Sequence, residues 1–173
     1  EGRITKWYGS STNIHEKRKL EEKIKDSENT LRKLVDHSPS SIAILSAPEL
    51  IVEQANRKYF ELVNMQPEEV IGRSALELFP AIREKGLDKI LMEAIKTGEP
   101  FLNPEYEVDM SRYGKEGTAW FTYLYQPLQN AAGITDKIMV VSTDITTYVQ
   151  LRKNVEHSER KMKLLSDAVP QLV

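Results

Sequence analysis

The sequence predicts an α+β domain: a five-stranded antiparallel sheet with helices gathered on one face, flanked on both sides by charged helices. Three observations predict it. β-Branched and aromatic runs cluster near residues 42–53 and again near 105–143, with short capped helical segments between them. Outside both clusters stand charged segments that carry a single apolar stripe. The two ends of the chain also repeat each other, without a gap, at an offset of 131 positions.

The repeat sets the boundaries. Gly2 falls on Gly133, Lys6 on Lys137, Asn13 on Asp144 and Ile14 on Ile145. The match continues through Leu20 on Leu151, Ile24 on Val155, Leu31 on Met162, Leu34 on Leu165 and Pro39 on Pro170. It therefore covers a strand, a cap, a helix and a closing proline. Residues 1–14 are expected to be the last strand of a preceding module and 15–38 a helical connector. Residues 39–146 are expected to form one whole module, 147–169 the next connector, and 170–173 the start of a third module. The first residue is not Met, so the chain is expected to be a piece cut from a tandem array.

Each element has its own signal. In the first connector Leu20, Ile24, Leu31 and Leu34 lie on a heptad seam with Ser27 at a d position, and charge covers the rest of the surface. Helices of this length are marginal alone in water, so a parallel partner helix is expected. Pro39 breaks the helix. Ile42–Leu45 and Leu50–Glu53 read as a hairpin across the turn Ala47-Pro48-Glu49. Asn56 stands where an N-cap belongs, before a helix that turns Tyr59, Phe60 and Val63 inward and ends near Asn64. Pro67, Glu68 and Glu69 open a second short helix that Gly72 stops. Ser74 to Glu77 form a capping box for a third, which Pro80 stops. From about Lys85 to Thr97, Leu87, Ile90, Leu91, Ala94 and Ile95 recur at helical spacing, and Met92 is taken as a core methionine.

Three strands complete the order. Tyr106, Val108 and Met110 alternate with Glu105, Glu107 and Asp109, the pattern of a half-buried strand. A turn over Tyr113–Gly117 leads into Trp120–Tyr125, whose inward face the pattern leaves open. A second turn over Asn130–Gly133 leads into Ile138–Thr143. The expected order is β-β-α-α-α-α-β-β-β. At Asp144, Ile145 and Thr146 the last strand hands over to a helix with Leu151, Val155, Ser158, Met162, Leu165 and Val169 in its seam. The matching residue at the earlier junction is Asn13, so capping is the expected shared role, with a charge-dependent role for Asp144 secondary.

Composition narrows the function. A net charge of −2 gives no basic face for nucleic acid or an anionic membrane. The chain has no cysteine, which removes disulfides, thiolate metal sites and any flavin–thiol adduct. Apolar residues make up 40% of the chain, enough for a modest core, and no run approaches the roughly 18 needed to span a membrane.

The element order, Asn56 at the helix opening, Pro67-Glu68-Glu69-Val70-Ile71-Gly72, Trp120 through Gln126-Pro127-Leu128, the Asn130–Gly133 turn and Asp144-Ile145-Thr146 together resemble a PAS domain with its C-terminal PAC motif. The resemblance covers residues 39–146. The flanking helices resemble those between tandem PAS domains of bacterial sensor histidine kinases, and residues 2–14 resemble the tail of another such domain. The resemblance implies a sheet cupped by helices around a small pocket, in a cytoplasmic sensory or relay module. It also implies a homodimer through residues 15–38 and 147–169, with PAS and kinase domains as neighbours. Strain would pass from the sheet through Asp144, Ile145 and Thr146 to the C-terminal helix.

The chain's chemistry is sparse. The eight glycines are scattered as turn residues and form no phosphate loop, and no acid pair or nucleophile stands in a catalytic arrangement. His15, His37 and His157 all lie in the connectors. None occupies the helix at 85–97, where haem-binding relatives carry the axial ligand, so haem is not expected. His157 is read as a solvated linker residue rather than a phospho-acceptor. No metal site is expected. Tyr59, Phe60, Phe79, Leu91, Tyr106, Phe121, Tyr123 and Tyr125 are the candidates to line a pocket for an unknown small molecule. The alternative is a small-molecule carrier, or a flavin or haem domain, using the same cup.

Overall fold

A computed structural model of the chain describes residues 14–168. The expected remnant strand at 1–14, apart from Ile14, the seam residue Val169 and the expected third module from Pro170 lie outside those residues. The first element, α1 (Ile14–Asp36), forms a unit by itself, and the residues after Asp36 form a second. Within α1 no residue is buried, and Leu20, Ile24, Leu31 and Leu34 all face solvent.

The second unit opens with β1 (Ser41–Ser46) and β2 (Ile51–Ala55). Five short helices follow: α2 (Arg57–Val63), α3 (Pro67–Val70), α4 (Ala75–Leu78), α5 (Ala81–Glu84) and α6 (Leu87–Thr97). The chain then runs through β3 (Phe101–Asp109), β4 (Thr118–Gln129) and β5 (Thr135–Asp144) into α7 (Thr146–Ala168). The strands make one antiparallel sheet in the order β2-β1-β5-β4-β3. Ala43, Leu45, Val52, Tyr125 and Ile138 from the sheet pack with Val63, Val70, Ala75, Leu91 and Ala94 from the helices to form the main core.

The local signals largely place the elements. Asn56 caps α2, its Oδ1 accepting from Tyr59 N at 3.0 Å, and Asn64 closes the helix in the left-handed region at φ +55°. Pro67 opens α3 at the first helical position. Tyr106, Val108 and Met110 turn inward while Glu105, Glu107 and Asp109 stay exposed.

Five expectations need correction. The second strand begins at Ile51, because Leu50 is a left-handed turn residue (φ +54°) whose side chain is fully buried. Pro80 does not simply end a helix. It stands at the N-cap of α5, an additional helix, so five helices rather than four separate β2 from β3. The long helix starts at Leu87 rather than Lys85, since Gly86 at φ +69° interrupts the run. Ser74 caps α4 by accepting from Leu76 N at 3.3 Å and donates to Glu49 O. The acid that reaches back to an N-cap is Glu69, one helix earlier, on Gln66 N at 2.7 Å. Met92 is 39% exposed and lies outside the core, which α6 reaches through Leu91 and Ala94.

Strand β4 resolves the face that its sequence leaves open. Ala119, Phe121, Tyr123, Tyr125 and Pro127 point to the helices. Trp120 and Leu124 occupy the other face, where Leu124 lies between Leu102 and Val141, with Ile42 beyond. Both faces are apolar, so no period of two stands out.

Candidate ligand pocket and strand-to-helix junction

Between the inner face of the sheet and the short helices lies a cavity of about 130 Å³. The sheet supplies its floor: Ser41 and Ala43 from β1, Tyr123 and Tyr125 from β4, Val140 and Ser142 from β5. The helices supply the roof, with Tyr59 and Val63 from α2, Phe79 after α4, Ile82 from α5 and Leu91 from α6. Tyr106 and Tyr113 close one side, and Lys85 and Asp109 stand at the exposed margin.

Six of the eight candidate side chains meet here: Tyr59, Phe79, Leu91, Tyr106, Tyr123 and Tyr125. Phe60 does not line the cavity. It packs against the core with its ring 5.9 Å from that of Tyr59, edge to face. Phe121 is also outside the lining, buried in a second cluster with Val108, Met110 and Ala119. The rings that line the cavity support one another: Tyr106 meets Tyr123 edge to face at 5.6 Å, and Tyr123 stacks on Tyr125 at 6.1 Å. Phe101 stacks in turn on Tyr125 at 6.0 Å.

Sequence reasoning missed several lining residues. Ser41 and Ser142 lie directly opposite each other across β1 and β5, each only 4% exposed. Small polar residues at strand ends look like boundary residues. The available signal was their inward phase, two positions from Ala43 and from Val140. Tyr113 sits in the 3-10 turn Met110–Tyr113, which reads in sequence only as a turn. Lys85 holds its ammonium 4.8 Å from the centre of the Tyr106 ring.

Burial controls the electrostatics. Desolvation, reinforced by the neighbouring tyrosines, raises the Tyr59, Tyr123 and Tyr125 phenols above their ordinary value of 10. These hydroxyls stay protonated across the physiological range. The Tyr106 hydroxyl is buried with no hydrogen-bond partner among the described residues. No group of acids and histidines among the described residues is placed to hold a metal ion.

The second site is the junction. Asp144 Oδ1 accepts from Thr146 N at 2.8 Å, so the capping expected of this acid is made. Ile145 N donates to Trp120 O at 2.8 Å, and Trp120 N donates to Thr146 Oγ1 at 3.0 Å. The first turn of α7 is thus bonded to the backbone of β4 at one residue. Val149 is fully buried, Arg152 pairs with Glu105 of β3 at 2.8 Å, and Lys153 lies 4.2 Å from the centre of the Trp120 ring. Leu151 is exposed within this stretch, and beyond it Val155, Met162 and Leu165 are exposed too.

A polar clasp joins the two sites. Asn56 is 1% exposed. Its Oδ1 also accepts from Ile42 N at 2.9 Å, and its Nδ2 donates to Ser40 O at 2.9 Å. Ser40 Oγ lies 2.8 Å from Thr143 Oγ1, next to Asp144. The cap of the helix that carries Tyr59 is therefore connected, through the entry to β1, to the end of β5.

Comparison with known proteins agrees with this architecture. The family described as PAS fold matches residues 35–150. The chain is 26% identical over 156 residues to the uncharacterized protein y4lL of Sinorhizobium fredii, which covers 90% of the chain but only 18% of that relative. The PAS domain of Bordetella pertussis BvgS superposes with a TM-score of 0.59 at 18% identity, over 79% of this chain and 98% of that one. A sensory box sensor histidine kinase from Vibrio cholerae gives a TM-score of 0.52 at 16% identity, over 73% and 98%.

Proposed function

The chain belongs to the PAS-fold family, and from that premise we propose that it is a sensory and relay module of a multi-domain two-component signalling protein, a histidine kinase. Occupancy of the cavity changes the inner face of the sheet, and the change passes through the junction to a paired C-terminal helix. The observation that carries this reading is the double use of β4. Tyr123 and Tyr125 line the cavity, while Trp120 of the same strand is bonded to Ile145 and Thr146 at the start of α7. A displacement of the strand by a ligand is felt within a few residues at the helix start.

The remaining parts of the reading follow. Residues 39–146 are the module, ending in a PAC motif, and 15–38 and 147–169 are the connectors. Residues 1–14 end a preceding PAS domain and 170–173 begin another. The connectors pair with those of a second copy in parallel, because the apolar seam residues of each helix are exposed among the described residues of its own unit. Kinase chemistry belongs to other domains of the parent, and this module is not an enzyme. The module works in the cytoplasm. Among the described residues no helix is long and apolar enough to cross a membrane. The ligand is a small molecule rather than haem or covalently bound flavin, since the lining includes no histidine and the chain no cysteine.

Native mass spectrometry of freshly purified protein tests the sensor reading. The expected spectrum shows a dimer that carries a reproducible small bound mass. A monomer with no added mass at every concentration would defeat both the pairing and the sensing.

A further inference from the structure

We infer that the cavity selects an uncharged molecule of about six non-hydrogen atoms that presents a hydrogen-bond acceptor, such as a small heteroaromatic ring or cyclic carbonyl compound. This deepens the sensory reading above and rests on it. The size comes from the volume. A cavity of about 130 Å³ is slightly smaller than an engineered cavity of about 150 Å³ that takes benzene. It is well below the roughly 300–1,000 Å³ usual for drug-sized ligands.

The chemistry comes from the lining. Every polar side chain at its depth is a hydroxyl: Ser41 and Ser142 on the floor, and the tyrosines around them. A phenol is a stronger donor than acceptor, and burial keeps Tyr59, Tyr123 and Tyr125 protonated. The Tyr106 hydroxyl has no partner among the described residues, although buried polar groups are nearly always bonded. A ligand acceptor near it supplies the missing bond. Charge is disfavoured because the two ionised groups of the lining, Lys85 and Asp109, stand at its exposed margin. The Lys85 ammonium is already placed over the Tyr106 ring. The stacked faces of Tyr123 and Tyr125 favour a flat molecule.

Three probes of six non-hydrogen atoms separate these terms: pyridine, benzene and isobutyrate. Titrations of the whole chain at pH 7.5, followed by amide NMR shifts of residues in β4 and β5, are expected to rank pyridine tightest. Benzene is expected at least about fivefold weaker, and isobutyrate at least about tenfold weaker. Tyr106→Phe, which keeps the ring, is expected to remove most of the preference of pyridine over benzene while the spectrum stays folded. Tighter binding of isobutyrate than of pyridine would overturn the inference and leave the sensory reading standing. A preference for pyridine that survives unchanged in both Tyr106→Phe and Tyr123→Phe would overturn the role of the hydroxyls. Shifts for none of the three, in a folded protein, would overturn the inference and the ligand-sensing reading together.

Discussion

The sheet module and the C-terminal helix use the same apolar side chains in opposite ways. Ile138, Val52 and Leu50 are completely buried within the module, whereas Leu151 and Met162 on α7 are 61% and 71% exposed. The module completes its core inside one chain. The helix carries a regular seam that no described residue of its own unit covers, and α1, taken by itself, carries another. The difference shows where folding ends and association begins: substitutions in the first region should cost stability, and those in the second should cost assembly. The boundary falls after Val149, Arg152 and Lys153, the residues of α7 held against the sheet.

The largest contrast is expected from one substitution in each region. Ile138→Ala removes a fully buried side chain and should lower unfolding free energy by about 2–5 kcal/mol. Val155→Asp should leave denaturant unfolding of the chain, measured at concentrations where it is monomeric, within about 0.5 kcal/mol while abolishing the dimer in light scattering at high concentration. A large stability loss from Val155→Asp would mean that the seam is packed inside one chain.

Alkaline titration probes the buried side alone. The Tyr59, Tyr123 and Tyr125 phenols are raised above 10 in the folded state. The folded protein therefore keeps protons that the unfolded chain releases. Their contribution to stability is complete below about pH 10 and is lost as pH rises above it. The tyrosinate absorbance of these three residues should appear together with the loss of far-ultraviolet circular dichroism, as one cooperative step. Titration of all seven tyrosines in the folded protein would contradict this.

A smaller cost, about 2 kcal/mol, is expected for Asn56→Ala, which removes the acceptor of Ile42 N and Tyr59 N and the donor to Ser40 O. Hydrogen exchange should rise at both amides. The smallest changes are expected at the junction. Asp144→Ala should lose about 1 kcal/mol of capping, while Asp144→Asn, which still accepts from Thr146 N, should lose only a few tenths. An equal loss in both variants would make the charge, rather than the cap, the working part.

Much of this comparison was legible in the sequence. The heptad spacing from Leu151 to Leu165 marked a stripe whatever the module did, and Asn56 marked a helix start because capping is a local event. The alternation from Glu105 to Met110 gave a strand and its inward face. The lining of the cavity was harder to read. Phe60 and Phe121 looked equivalent to Tyr59 and Tyr123, but helix phase turns Phe60 away from the cavity and the position of Phe121 along β4 puts it in the second cluster. Trp120 and Leu124 on the far face of β4 mask the period of two. Ser41 and Ser142 become neighbours only through a pairing 101 residues apart, which no local pattern encodes. The break at Gly86 was missed because the apolar spacing of α6 extends smoothly up to it, and only the positive φ reveals the new start.

The chain has no cysteine, so Arg160→Cys gives one spin-labelling position per chain, on the side of α7 opposite the Leu151–Val155 seam. Pulsed dipolar spectroscopy between the two labels tests the central contrast most directly. A parallel, in-register pair of helices predicts one narrow intermolecular distance, lost in Val155→Asp with the module still folded. The absence of any intermolecular coupling, or a broad distribution indifferent to Val155→Asp, would contradict the account.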